Sequence, residues 1–199
     1  ETQYGKYKGK DKVMDSLATL AFHYPKRAKF FRSELEQFLL LTREQNVDPL
    51  LLKGSYAGAM GIPQFISSSY RNYAVDFDDD GKKDLWQNPV DAIGSVANYF
   101  NRHGWEAGGA VTFPERVTGD RVDAAIDKDL KPDIRAGDLK NYDIISDRNI
   151  PEAILVKVMK FEQKDGKDYW IGLHNFYVIT RYNHSALYAM AVYQLSEEI

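Results

Sequence analysis

The chain predicts an α+β fold, mainly α, and three observations carry that prediction. Apolar residues recur at helical spacing in residues 12–24, 26–45 and 89–103. Two β-rich runs, 153–161 and 168–179, flank an Asp165-Gly166 pair, the signature of a tight antiparallel hairpin. Between two helical segments runs Asp76-Phe-Asp78-Asp-Asp80-Gly81, an acidic loop with the spacing of an EF-hand start.

In residues 12–24, Val13, Leu17, Leu20, Ala21 and Tyr24 share one face, so a helix is predicted up to Pro25. From Lys26 to about Gln45 a second helix carries the stripe Phe31, Leu35, Phe38 and Leu39. Residues 46–54 read as a connector. Residues 63–73 predict a short helix with Pro63 in its first turn. Residues 89–103 predict a helix with Val90, Ile93, Ala97 and Phe100 on its apolar side. Gly108-Gly109, Pro114, Gly119, Pro132 and Gly137 then punctuate a polar stretch. A last helix is predicted over 183–197. The expected organisation is a catalytic core over 1–105 with the acidic loop at 76–91. An excursion or small lobe comes next at 106–150, and a hairpin with a C-terminal helix over 151–199 completes the core.

Composition narrows the function. The 199 residues carry 26 basic and 29 acidic side chains, a net charge of -3, with no basic block. A nucleic-acid partner is therefore not expected. There is no cysteine, which removes disulfides and thiolate nucleophiles. No apolar run approaches the ~18 residues that span a bilayer. Thirteen Tyr, ten Phe and three Trp supply rings for a core and for a sugar-binding groove. The sequence starts at Glu1 without a Met, and residues upstream of it are expected in the working protein.

In the acidic loop, alternate carboxylates converge on one point, Gly81 permits a sharp turn, and hard oxygen ligands suit Ca²⁺. The candidate metal set is Asp76, Asp78, Asp80, Lys82 and Asp91. The twelfth loop position is Gln87 in place of the usual Glu, so Asp91 on the following helix is the carboxylate that closes a longer loop. The plain alternative is a solvated acidic turn. Lys82 and Lys83 nearby weaken cation affinity. The role of such an ion is structural, since a filled oxygen cage leaves no open catalytic position.

No G-x-S-x-G, H-E-x-x-H or Gly-rich phosphate loop occurs, and His23, His103, His174 and His184 lack metal-ligand spacing. Carboxylate chemistry remains, but spacing does not single out one acid from the others.

A resemblance does. Glu1-Thr-Gln-Tyr-Gly5 resembles the signature around the catalytic glutamate of the MltB-type lytic murein transglycosylases. Residues 15–25, 53–65, 68–77, 91–100 and 103–105 resemble further blocks of that family, as do Asn175-Phe176 and 179–185. The resemblance runs over nearly the whole chain and is weakest over 106–150. It implies a lysozyme-like helical core and a cut in the β-1,4 bond between N-acetylmuramic acid and N-acetylglucosamine, leaving 1,6-anhydromuramic acid ends. It implies Glu1 as the acid/base. Ser55, Gln64, Tyr99, Tyr182, Asn183 and Tyr188 are implied as substrate-facing groups, and Lys26 and Arg27 as a basic pair for the peptide stem or lactyl carboxylate. Phe30 stands where relatives can have Tyr.

The resemblance also implies an EF-hand-like Ca²⁺ loop, no cofactor for catalysis, and a periplasmic or outer-membrane-associated location. Peptidoglycan strands are the implied partner, with cell-wall synthesis or remodelling proteins as further ones. The family is an exception to two-carboxylate glycosidases, using one acid and the substrate's own acetamido group. A free α-amino group at Glu1 would lower its carboxyl pKa and oppose an acid role, which is the reason upstream residues are expected. Alternative readings are a non-catalytic peptidoglycan-binding module, a calcium-dependent interaction protein and a lysozyme-like hydrolase.

Overall fold

A computed structural model of the chain describes residues 2–199. Helices and antiparallel sheets together make it α+β and mainly α. The chain divides into two compact units, one ending at Arg102 and one beginning at His103.

In the first unit, β1 (Asp11–Lys12) runs directly into α1 (Val13–His23). Strand β1 pairs antiparallel with β2 (Lys53–Gly54), Asp11 opposite Gly54. Helix α1 buries Val13, Leu17 and Ala21, one residue per turn. Pro25 opens a single 3₁₀ turn, Pro25–Arg27, and α2 (Ala28–Glu44) packs back on α1. Helix α2 buries Phe31 and Phe38 as its sequence predicts, but Leu39 is 43% exposed and Glu34 takes a buried place. The Glu34 carboxylate is retained there because it accepts the Ser68 backbone N–H at 2.9 Å.

Helix α3 (Ser67–Tyr73) starts later than the Pro63 start predicted. Met60 and Phe65 exchange backbone hydrogen bonds of 2.8 and 3.0 Å, so residues 61–64 form the turn of a small hairpin-like loop. Helix α4 (Pro89–Arg102) has Pro89 at its first position, and the Asn88 Oδ1 accepts the Val90 N–H at 3.0 Å. Its predicted apolar face is the outer one: Val90 is 43% and Ile93 70% exposed. The inner face carries Asp91, Ala92, Gly94, Ser95 and Tyr99. Polar residues go inward here because Asp91 and Ser95 hydrogen-bond loop N–H groups that would otherwise be unmet. Gly94 is required by contact: a Cβ there would lie 2.4 Å from the Phe77 ring.

The second unit is built on a five-stranded antiparallel sheet. Its strands are β3 (Thr112–Val117), β4 (Ile134–Arg135), β5 (Ile144–Ile145), β6 (Leu155–Gln163) and β7 (Gly166–Gly172), in the order β4-β6-β7-β3-β5. The predicted β6–β7 hairpin forms, but it closes with Gln163 opposite Gly166, so Lys164 and Asp165 are its turn residues and Gly166 is already in the strand. Strand β6 shows the two-residue period directly. Val156 and Val158 enter a cluster with Val122, Leu139, Ile144 and Ile171. Met159 and Phe161 enter another with Phe176, Ile179, Ala189 and Met190. The last four lie on α5 (His174–Tyr182) and α6 (Ala186–Glu197).

The predicted strand over 168–179 is thus half strand and half helix. Residues 174–179 are rich in β-formers, but Phe176, Ile179 and Thr180 are buried at helical spacing. Asn175 fixes the start: it accepts the Glu106 N–H and donates to the Glu106 and Gly109 carbonyls, each at 2.9 Å. Tertiary contacts override propensity. Helix α6 starts at Ala186, where the Ser185 hydroxyl accepts the Tyr188 N–H at 3.2 Å. Among the described residues no helix is long and apolar enough to cross a membrane.

Candidate active site

Glu1 lies outside the described residues. Its neighbour Thr2 is buried; the Thr2 hydroxyl donates to the Ile62 carbonyl at 2.9 Å and accepts the Gly5 N–H at 3.0 Å. The Thr2 carbonyl accepts the Tyr7 N–H at 2.9 Å. Lys8 donates its ammonium to the Trp86 carbonyl at 2.6 Å. Residues 2–8 are therefore laid against the 61–64 turn. Sequence reasoning does not single out Thr2 and Lys8, because a short polar run at one end carries no periodicity to read.

Ser55 and Gln64 belong to the same loop. The Ser55 Oγ accepts the Ala57 N–H at 3.3 Å and the Ala59 N–H at 3.1 Å. Both lone pairs are used, and the hydroxyl hydrogen has no acceptor among the described residues, so it can be donated outward. Gln64 adopts φ of 54°, the left-handed region, which a non-glycine residue occupies at a cost and mostly at sites. Its amide nitrogen donates to the Lys8 carbonyl at 3.2 Å and the Gly61 carbonyl at 2.9 Å. The amide oxygen is left as an acceptor. The loop thus offers one hydroxyl donor and one amide acceptor, each tied to backbone.

Tyr99 is buried on α4, edge-on to Tyr73 at 4.9 Å and tilted to Phe65 at 5.9 Å. It packs behind the loop that carries Gln64. Lys26 and Arg27 stand elsewhere in this unit, at the corner between α1 and α2. The Arg27 guanidinium lies over Phe30 at 4.4 Å and Phe31 at 5.1 Å. Phe30 thus serves as a platform for a cation, a role its ring performs without a hydroxyl.

In the second unit, Tyr182, Asn183 and Tyr188 cluster around the junction of α5 and α6. The two tyrosine rings are parallel within 4° at 6.5 Å. Asn183 is exposed at the end of α5, and its carbonyl accepts the Ser185 N–H at 2.7 Å.

The acidic loop joins α3 to α4. Carboxylate oxygens of Asp76, Asp78 and Asp91 lie within 4.8 Å of one another. Asp91 is fully buried and accepts the N–H groups of Phe77 and Asp84, both at 2.8 Å. Asp76 accepts those of Asp80 at 3.1 Å and Gly81 at 2.8 Å, and Gly81 takes φ of 89°. Asp78 accepts the Asn88 side-chain amide at 2.8 Å. Asp80 faces the Lys82 N–H at 2.9 Å and is not one of the three that converge. Asp84 carries no motif signal in the sequence; it caps Trp86 and Gln87 at 2.8 and 2.9 Å and so shapes the end of the loop. The hard-oxygen donor set, with one member fully buried, fits a divalent cation such as Ca²⁺.

The model of the family described as Transglycosylase SLT domain matches residues 1–197. The membrane-bound lytic murein transglycosylase B of Escherichia coli K12 is 46% identical over 199 residues, covering 100% of this chain and 54% of that protein. The chain thus spans about half the length of that curated relative. Among solved structures, the catenated lytic transglycosylase SltB1 of Pseudomonas aeruginosa superposes with a TM-score of 0.95 at 52% identity, covering 100% of this chain and 65% of that one. The Escherichia coli lytic transglycosylase SLT35 in complex with calcium gives 0.90 at 46% identity, covering 99% and 62%.

Proposed function

We propose a function from one premise: the chain belongs to the transglycosylase SLT domain family. It cleaves the β-1,4 bond between N-acetylmuramic acid and N-acetylglucosamine in peptidoglycan and leaves 1,6-anhydromuramic acid ends. The observation that carries this is the rigid loop presenting the Ser55 hydroxyl and the Gln64 amide oxygen, directly against the segment that begins at Thr2.

Glu1 acts as the acid and then as the base. Its carboxyl proton goes to the bridging oxygen, and the C1–O bond breaks with its electron pair left on the departing N-acetylglucosamine. The 2-acetamido carbonyl oxygen bonds to C1 and carries the positive charge as an oxazolinium. The Glu1 carboxylate then takes the proton of the C6 hydroxyl. That oxygen bonds to C1 and the oxazolinium C–O bond breaks. No water is consumed and no cofactor enters. An apolar setting favours the protonated acid this needs. Ser55 and Gln64 hold the sugar's polar substituents. Tyr99 buttresses that loop, while Tyr182, Asn183 and Tyr188 offer ring and amide surface. Lys26 and Arg27 meet carboxylates of the lactyl group or stem peptide.

Asp76, Asp78 and Asp91 hold a structural Ca²⁺, with Asp80 and Lys82 in the same loop. Bound there, such an ion would supply positive charge against the converging carboxylates of the loop that joins α3 to α4. A periplasmic or outer-membrane location accords with the substrate, as does contact with cell-wall synthesis or remodelling proteins.

Mass spectrometry of the products from purified peptidoglycan, using the full-length protein and its Glu1→Gln variant as control, tests the proposal. Anhydromuramic ends from the protein and none from the control are expected. Reducing ends would make it a hydrolase, and no cleavage by either protein would leave a binding module.

A further inference from the structure

A groove of about 590 Å³ lies in the first unit between the end of α2, the 46–52 connector and the end of the acidic loop. That volume is in the range of ligand pockets. Its floor is apolar, formed by Leu41 and Leu52, and Val47 and Leu51 rise at its edge with 40% and 73% exposure. Trp86 joins the two walls: its ring packs on Tyr70 at 5.3 Å and its indole N–H donates to the Lys53 carbonyl at 3.4 Å. Val47 and Leu51 give the groove an exposed apolar edge.

The rim is cationic. Lys53 stands on one wall, Lys82 and Lys83 on the other, and among the described residues none of the three forms an ion pair. The lining carboxylate, Asp84, is occupied with the N–H groups of Trp86 and Gln87. Glu44, near enough to Lys83 to feel its charge, is gripped by Arg71 at 2.6 and 3.0 Å. None of the three lysines is committed to an ion pair among the described residues, and they line both walls of the groove, Lys53 on one and Lys82 with Lys83 on the other. A single head group does not match that spread; carboxylates spaced along a chain do.

We propose that this groove docks an acidic peptide segment of a partner, an apolar side chain seated against Leu51, Leu52 and Trp86 and flanking Asp or Glu residues reaching Lys53, Lys82 and Lys83. The site is separate from the Ser55–Gln64 loop, and its occupancy does not depend on glycan cleavage.

The test uses a capped hexapeptide, Asp-Glu-Leu-Phe-Glu-Asp, and a control with Lys at each acidic position, titrated into ¹⁵N-labelled protein at constant calcium. The acidic peptide is expected to shift amide signals of residues 47–53 and 82–87 and to weaken as salt rises. Reversing two rim charges with K53E/K83E weakens it about tenfold, and L51S, at an exposed position that leaves folding intact, weakens it about fivefold. The proposal is overturned by no shift at these residues, by an equal response to the lysine peptide, or by unchanged affinity in K53E/K83E. It is equally overturned if the protein ignores the peptide and instead sediments with phosphatidylglycerol vesicles through the same lysines.

Discussion

Lys157 in the second unit and Asp91 in the first are both buried charges, and the chain balances them in opposite ways. In the second unit the Lys157 side chain is 2% exposed, and its ammonium meets Asp127 at 2.7 Å and Asp133 at 2.9 Å. Burial pulls its pKa down, yet the two hydrogen bonds outweigh that and the value is raised overall. In the first unit Asp91 is fully buried beside Asp76 and Asp78, and among the described residues no ammonium pairs with any of the three. Backbone N–H dipoles hold Asp91, but they do not cancel the summed charge. The β unit is electrically closed; the acidic loop is left open to a cation from outside. A buried charge that the chain balances for itself is architecture, and one that it leaves unbalanced is a site.

The largest effect that would break this comparison comes from Asp91→Ala. It removes the acceptor of the Phe77 and Asp84 N–H groups, both in part-buried hydrogen bonds, at a cost of about 2 kcal/mol for the two donors. Denaturant titration should show that loss and, with it, disappearance of any calcium response. Retention of full stability would mean the loop does not depend on Asp91. Calcium itself comes next: about 100 Kd of free ion should stabilise the loop by roughly 2.7 kcal/mol relative to chelator. Hydrogen exchange should place that protection in residues 74–92 and leave β6 and β7 unchanged. Protection spread evenly over both units would contradict the open-versus-closed distinction.

A smaller pair of effects sharpens the closed side. Asp127→Ala with Asp133→Ala leaves Lys157 buried without partners, for a loss of about 2 kcal/mol. Lys157→Met should cost under ~1 kcal/mol, because Asp127 and Asp133 are 57% and 45% exposed and return to water. Thermal melts of the two variants decide it. If Lys157→Met is the more damaging, the ammonium holds the sheet by more than mutual neutralisation.

How much of this is legible in the sequence depends on where each signal originates. The helices α1, α2 and α4 are readable in outline from apolar period, yet the inner face of α4 is not. Asp91 and Ser95 are inward because loop N–H groups need them, and a polar-inward requirement looks like surface in a one-dimensional pattern. The β6–β7 hairpin is legible through Asp165-Gly166. Strands β4 and β5 have two residues each, too few to show any period. Helix α5 reads as a strand because its β-forming side chains are overruled by the Asn175 bridge to Glu106 and Gly109 only in the folded chain. In the candidate site, the acidic spacing points to Asp76, Asp78 and Asp80, with Asp91 as a later closing carboxylate, whereas the three that converge are Asp76, Asp78 and Asp91. Ser55 and Gln64 are reachable only through family resemblance, since a left-handed φ and a saturated hydroxyl leave no trace in a string of letters.

Glu115 gives the smallest and most discriminating prediction, because it lies between the two cases. Its Oε1 accepts the Ser146 hydroxyl at 2.8 Å, while its Oε2 is buried with no partner among the described residues. Burial raises its pKa above the ordinary value, and the Ser146 hydrogen bond only partly opposes this. The folded state therefore favours the protonated form. Stability from this group is complete below the unfolded value of 4.5 and is lost as pH rises through the higher folded value. Glu115→Gln stays neutral throughout and keeps the acceptor for Ser146. It should melt a degree or two above the parent at pH 7, an effect of under about 1 kcal/mol for a partly exposed group. At pH 4 that advantage should vanish. Because Asp127, Asp143 and Lys157 titrate alike in both proteins, the difference between the two melting curves isolates Glu115. An equal offset at both pH values would show that its carboxyl is solvated and ionised like any surface acid.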